Sequence, residues 1–307
     1  MKPEWFANAD YETERRESQR LGLGGQAWGV AAAYEIDHDV IRPVGDERLY
    51  FPMGRPRLPF ELAKISGGNE GAAVAFARKW GLLGHWALVD SKDRVGGDPL
   101  EFVLGHAYVI RNVLTLIDGL RRGDPDSVSW AIGETFPEEP ISPRNPNSRY
   151  PAWRWLLGAR PIVTLMIDDG ATEEDLALRA IANTLSGNLK GIHPAVVTQV
   201  PAEGTSQQSP ISRLRRTFRW RALVEVAYWH LWNLIERGRP LAICQECGGF
   251  FERTDARQQF CPPPEDEVQE ARTGLRSRSQ SKCGLRHRMR KLRRGESQPG
   301  RSPGSRE

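Results

Sequence analysis

Cys244-Gln245-Glu246-Cys247-Gly248-Gly249-Phe250-Phe251, then Phe260-Cys261, then Cys283-Gly284-Leu285-Arg286-His287-Arg288-Met289-Arg290-Lys291-Leu292-Arg293-Arg294, holds all four cysteines of a 307-residue chain. Four thiolates suit a tetrahedral Zn2+ ion. A Cys-x-x-Cys turn presents two sulfurs to one ion, and Gly248 and Gly249 fit such a tight knuckle because glycine adopts positive φ without steric cost. Phe250-Phe251 then reads as the start of a short hairpin, with Phe260-Cys261 as its return carrying the third sulfur. Cys283 supplies the fourth from the first turn of a helix, where exposed N–H groups and the dipole favour a thiolate. The gaps of two and thirteen residues are ordinary for a knuckle, and the third, of 21, is long. His287 lies four residues after Cys283, on the same helical face, and stands as a substitute or competing ligand.

Cys244-x-x-Cys247-Gly248, Phe260-Cys261 and Cys283-Gly284 followed by Arg286 and further arginines resemble the CGNR-type zinc finger of bacterial proteins. That finger is a treble-clef-like module, usually C-terminal, in proteins regarded as stress-induced transcription regulators. Leu285 stands where that motif has Asn, and residues 262–282 expand the gap before it. From about Thr172 the order helix, polar hairpin, helix, finger is also similar. The resemblance implies a structural Zn2+ held by Cys244, Cys247, Cys261 and Cys283, and a DNA-binding regulator.

Around this stretch the charge is uneven. From Arg272 to Glu307 there are 12 Lys/Arg against 2 Asp/Glu, a net of +10, so the preceding residues carry −6 within a whole-chain charge of +4. A basic end attracts phosphates by Coulomb forces and counterion release. The hydrophobic fraction of 39% and ten tryptophans describe a globular chain able to bury a sizeable core. The start, Met1-Lys2-Pro3-Glu4-Trp5, has no apolar signal core, and no run is read as approaching the ~20 apolar residues of a membrane span. A cytoplasmic protein without a membrane partner is expected, in a reducing compartment that keeps thiols free.

Towards the N-terminus the patterning is mainly helical with small β-hairpins. Asp37-His38-Asp39 reads as a solvated loop ahead of a metal site. Arg48 to Phe51 reads as a short strand, Phe60 to Lys64 as a helical turn and Asn69 to Trp80 as a helix. Leu100 to Arg122 carries apolar residues at helical spacing over a broad face and is expected at the centre of a bundle; His106 on that face reads as a core histidine. Asp126 to Phe136 reads as a short helix and 137–150 as a linker. Pro161 to Ile167 is an apolar run of either type. Thr172 is placed to cap a helix through Leu189. Ala195–Val200 and Leu214–Arg219 suggest a hairpin. Thr217 to Gly238 contains the strongest helix. The domains expected are a helical body over 1–240, a finger over 241–294 with an insertion at 262–282 and a basic helix at 283–294, and a disordered tail at 295–307.

In the basic helix, Leu285, Met289 and Leu292 are expected to pack on the zinc hairpin, leaving Arg286, Arg288, Arg290, Lys291, Arg293 and Arg294 to meet nucleic acid, DNA ahead of RNA. The helical body is then expected to sense a ligand or to form a homodimer. The alternative is a protein-interaction module whose basic helix meets an acidic protein surface. No catalytic residue is assigned: four thiolates leave no open position on zinc, and no nucleophile elbow, zincin helix or phosphate loop is present.

Overall fold

The computed structural model describes residues 26–65, 69–89, 96–135, 152–157, 160–166, 172–198, 214–263 and 281–293. Over these the chain is mainly α, with four small antiparallel sheets. They fall into two units that divide between Gly238 and Arg239. The linker at 137–150, most of the insertion at 262–282 and the tail at 295–307 lie outside the described residues.

The first unit opens with a hairpin that the patterning did not show. Strands β1 (Trp28–Asp37) and β2 (Val40–Tyr50) pair antiparallel. His38 and Asp39 form the turn between them, both at positive φ (49° and 59°). A two-residue turn of this hand matches strand twist, and Asp tolerates it through its short polar side chain. Asp37-His38-Asp39 is thus turn chemistry: His38 Nδ1 lies 2.7 Å from Asp37 Oδ1, and Arg42 pairs with the same carboxylate. The short β3 (Asp98–Pro99) adds to β2 by pairing Asp98 with Ile41.

Helices α1 (Leu58–Ala63) and α2 (Glu70–Trp80) follow the sheet. Asn69 caps α2 by accepting from the Ala72 N–H. The organising element is α3 (Leu100–Arg122), which ends at Gly123 with φ 61°. It packs against α1, α2, α4 (Pro125–Thr135), α5 (Glu173–Asn188) and α6 (Leu223–Arg237). Val109, Ile110, Val113, Leu114 and Leu116 are fully enclosed there. By length and composition α3 is apolar enough to cross a membrane, which corrects the expectation that no such run exists. Its most apolar window is 67% buried inside the protein, and that packing accounts for the hydropathy.

Three buried polar side chains of this core tie separate segments together. His106 Nδ1 lies 2.9 Å from the Tyr228 hydroxyl, joining α3 to α6, and His230 Nε2 lies 3.0 Å from the Pro52 carbonyl. The Asp98 carboxylate accepts from the N–H groups of Leu83, Gly84 and His85. Burial pushes the Asp98 carboxyl up to about 6 against the lowering effect of those N–H groups.

The apolar run after residue 160 is a strand: β4 (Ala152–Leu157) and β5 (Arg160–Met166) form a hairpin. Thr172 caps α5 in a reciprocal box with Asp175. Strands β6 (His193–Thr198) and β7 (Leu214–Arg219) pair as expected. Helix α6 begins at Leu223, inside the stretch that the periodicity marks. Arg219 is still paired with His193, and the Glu225 carboxylate accepts from the N–H groups of Arg221 and Ala222 at the helix start.

Candidate metal centre

The second unit is built on a two-stranded hairpin. β8 (Leu241–Ile243) and β9 (Phe250–Glu252) pair Leu241 with Glu252, Ala242 with Phe251 and Ile243 with Phe250. The Cys-x-x-Cys turn is their connection. Cys244 N–H donates to Gly249 C=O, Gly248 N–H donates to Cys244 C=O (both 2.9 Å), and Gly248 sits at φ 67°. A side chain at that φ costs strain, so glycine after the second cysteine is a requirement of the knuckle. The chain returns through a turn in which Asp255 accepts from Arg257 N–H, and Gln245 N–H donates to Gln259 C=O. That contact brings Cys261 beside the knuckle, where its N–H points at Cys244 Sγ, 3.4 Å away.

Helix α7 (Lys282–Arg293) brings the last sulfur. Ser281 caps it: its Oγ accepts from Gly284 N–H and its C=O accepts from Leu285 N–H. Cys283 therefore lies in the first turn, as expected. The ligand atoms of Cys244, Cys247, Cys261 and Cys283 all lie within 4.8 Å of one another, and Cys247 Sγ and Cys261 Sγ are 3.5 Å apart. Four sulfurs about 2.3 Å from a single ion would stand about 3.8 Å apart. The set therefore fits a Zn2+ ion in both spacing and donor type. Among the described residues these four form the one cluster of this kind, and the 21-residue gap does not keep Cys283 from it.

The electrostatics agree with a cation site. Burial raises the Cys244 thiol, but the N–H groups of Cys247, Cys261 and Glu246 outweigh it and bring it down to about 7. Burial and then the sulfurs of Cys247 and Cys244 push Cys283 up to about 11, so the helix N-terminus does not dominate there as expected. Accumulated thiolate charge disfavours further ionisation, and a divalent cation relieves that repulsion.

His287 is not part of the cluster. Its ring packs on Phe260 with centroids 5.0 Å apart, and Nδ1 lies 3.7 Å from Glu246 Oε2. Arg290 Nη2 reaches the other oxygen of Glu246 at 3.4 Å. The Glu246 side chain is only 5% exposed, so an almost fully enclosed carboxylate ties α7 to the knuckle. Ala242, Cys244 and Phe251 make the small core beneath, with Phe260, Cys261 and Cys283 against it.

The expected orientation of α7 is overturned. Leu285 and Met289 are 43% and 52% exposed, while Gly284 is buried beside Phe260. Helical geometry gives the reason. At about 100° per residue, Leu285, Met289 and Leu292 lie about 200°, 240° and 180° around the helix from Cys283. A Cys283 turned towards the sulfur cluster therefore turns that stripe away. Arg286, Arg288, Arg290 and Lys291 are exposed, Arg293 closes α7, and Arg294 lies outside the described residues.

No family model, curated protein or solved structure matches the chain.

Proposed function

We propose that residues 241–294 form a finger with one structural Zn2+ on Cys244, Cys247, Cys261 and Cys283, similar to the CGNR type, and that its basic helix binds nucleic acid, DNA ahead of RNA. The metal would fix the hairpin, the return segment and α7 to one another. All four of its positions would be taken by protein thiolates, leaving none for a substrate, so the role is structural and not catalytic. Arg286, Arg288, Lys291, Arg293 and Arg294 would contact phosphates, and Arg290 would do so from its bridge to Glu246. The observation that carries the reading is an acid-free helix with six Lys/Arg, anchored through its own first-turn cysteine to the sulfur cluster. In this reading the protein is a cytoplasmic transcription regulator whose helical body receives a ligand or a second copy.

Metal analysis of purified protein should find one zinc per chain, and duplex DNA should bind with an affinity that falls steeply with salt. Arg286→Gln/Arg288→Gln/Lys291→Gln should reduce the slope of log affinity against log salt by about two to three. One zinc per chain with no DNA or RNA affinity at low salt would refute the nucleic-acid half and leave the metal half standing.

A further inference from the structure

The outward face of α7 is unlike that of a helix that only touches phosphates. Leu285 and Met289 lie one turn apart and open to solvent, and Leu292 shares their side by helical position. By the same geometry Arg288 borders this stripe on one edge, and Arg286 and Arg293 border the other. Lys282–Arg293 contains no acidic residue. Phosphates are met by the cations alone, which leaves the apolar stripe without a use in that contact.

Two features hold the stripe outward. Cys283 is committed to the sulfur cluster on the opposite side. Glu246 grips His287 and Arg290, which flank Cys283 on the inward face. Rolling the helix to bury Leu285 would break both attachments.

We propose that this face docks an amphipathic helix of another protein, one with an apolar stripe bordered by Asp and Glu. Apolar residues of the partner would cover Leu285 and Met289, in the manner of a helix read at i, i+4 and i+7. Its carboxylates would meet Arg286 and Arg288. A second copy of α7 is a poor fit, because it would set arginine against arginine along both borders. The partner and nucleic acid would draw on the same arginines, so the two would exclude one another, and the partner would act as a release factor. The inference rests on the metal half of the proposed function, since ligation through Cys283 turns the stripe outward; the docking itself does not need the nucleic-acid half.

The test uses the full zinc-loaded chain and two labelled 18-residue helical peptides with the same leucine stripe, one flanked by Glu and one by Lys. Fluorescence anisotropy should show binding of the Glu-flanked peptide only. Leu285→Gln/Met289→Gln should weaken it at least tenfold, with zinc content unchanged and DNA affinity within about twofold of the parent. Three results would overturn the proposal: no peptide binding by zinc-loaded protein, binding of the Glu-flanked peptide that survives the double substitution, or equal binding of both peptides. Two others would reassign the face and so reject it. One is sedimentation showing a dimer that the double substitution abolishes. The other is binding to phosphatidylserine vesicles, but not to the peptide, that the same substitution removes. A chain that carries no zinc would instead fail the metal reading, before any peptide is added.

Discussion

Asp98 shows at the scale of one residue how much a sequence conceals. In Gly96-Gly97-Asp98-Pro99 it looks like an ordinary turn residue. In the fold it is buried and accepts from three backbone N–H groups in succession, those of Leu83, Gly84 and His85. Nothing local marks it, because its partners lie 13 to 15 positions upstream and are backbone N–H groups, which any sequence carries. Asp98→Ala leaves those N–H groups enclosed without an acceptor. It should lower unfolding free energy by about 2–4 kcal/mol in urea titrations. A loss below about 1 kcal/mol would mean that water replaces the carboxylate. Cys283 is the converse. Its place in the cluster was legible despite the long gap, because it is the last of only four cysteines, all in one C-terminal stretch.

Legibility at the scale of elements followed periodicity. The helices around Leu100–Arg122 and Thr172–Leu189 stand close to where the apolar spacing put them. The β1–β2 hairpin was missed because its turn is His38-Asp39 and not an Asn-Gly or Asp-Gly pair, and because much of β2 is exposed and polar. The run after residue 160 is too short for periodicity to separate strand from helix, and only pairing with β4 settles it. For α7 the error was one of consistency: a ligating Cys283 and an inward Leu285 cannot share one side of a helix. The clamp on that helix gives a prediction. Glu246→Gln removes the charge facing His287 and Arg290 but keeps the shape. It should lower zinc affinity about tenfold in chelator competition, as loss of a partner just outside the ligands commonly does. An unchanged affinity would mean that the four sulfurs alone position α7.

For the whole molecule, the buried titratable groups set a dependence on acid. Burial holds His106 down to about 3, assisted by His85, and holds His230 down to about 4 against the Pro52 carbonyl. A histidine depressed in the folded state gives stability that is full above about pH 6.5 and is lost as pH falls towards its folded value. Asp98 is raised to about 6, so its contribution runs the other way: it is full below about pH 4 and fades as pH rises through 6. Asp118, raised by burial against the pull of Arg122, acts in the same direction as Asp98, but the two histidines have the wider windows, so the net effect is a loss of stability between about pH 6 and 4. All ten tryptophans precede Gly238, so tryptophan fluorescence reports the first unit alone. Its urea midpoint should fall between pH 7 and 5, and His230→Gln should flatten part of that fall. A midpoint that holds steady would show that neither histidine stays neutral in the folded state.

Gln26 and Trp220 hold each other by two bonds: the Gln26 amide donates to the Trp220 carbonyl at 2.8 Å and accepts from its N–H at 3.3 Å. The two residues are 194 positions apart. On a ribosome adding about 5–20 residues each second, the amide near the start of the chain waits about 10–40 s for its partner to be made. The residues just ahead of β1 thus gain this tie long after β1 itself can pair with β2. Nascent chains halted before residue 220 would all lack that closure, whatever helices they had already formed.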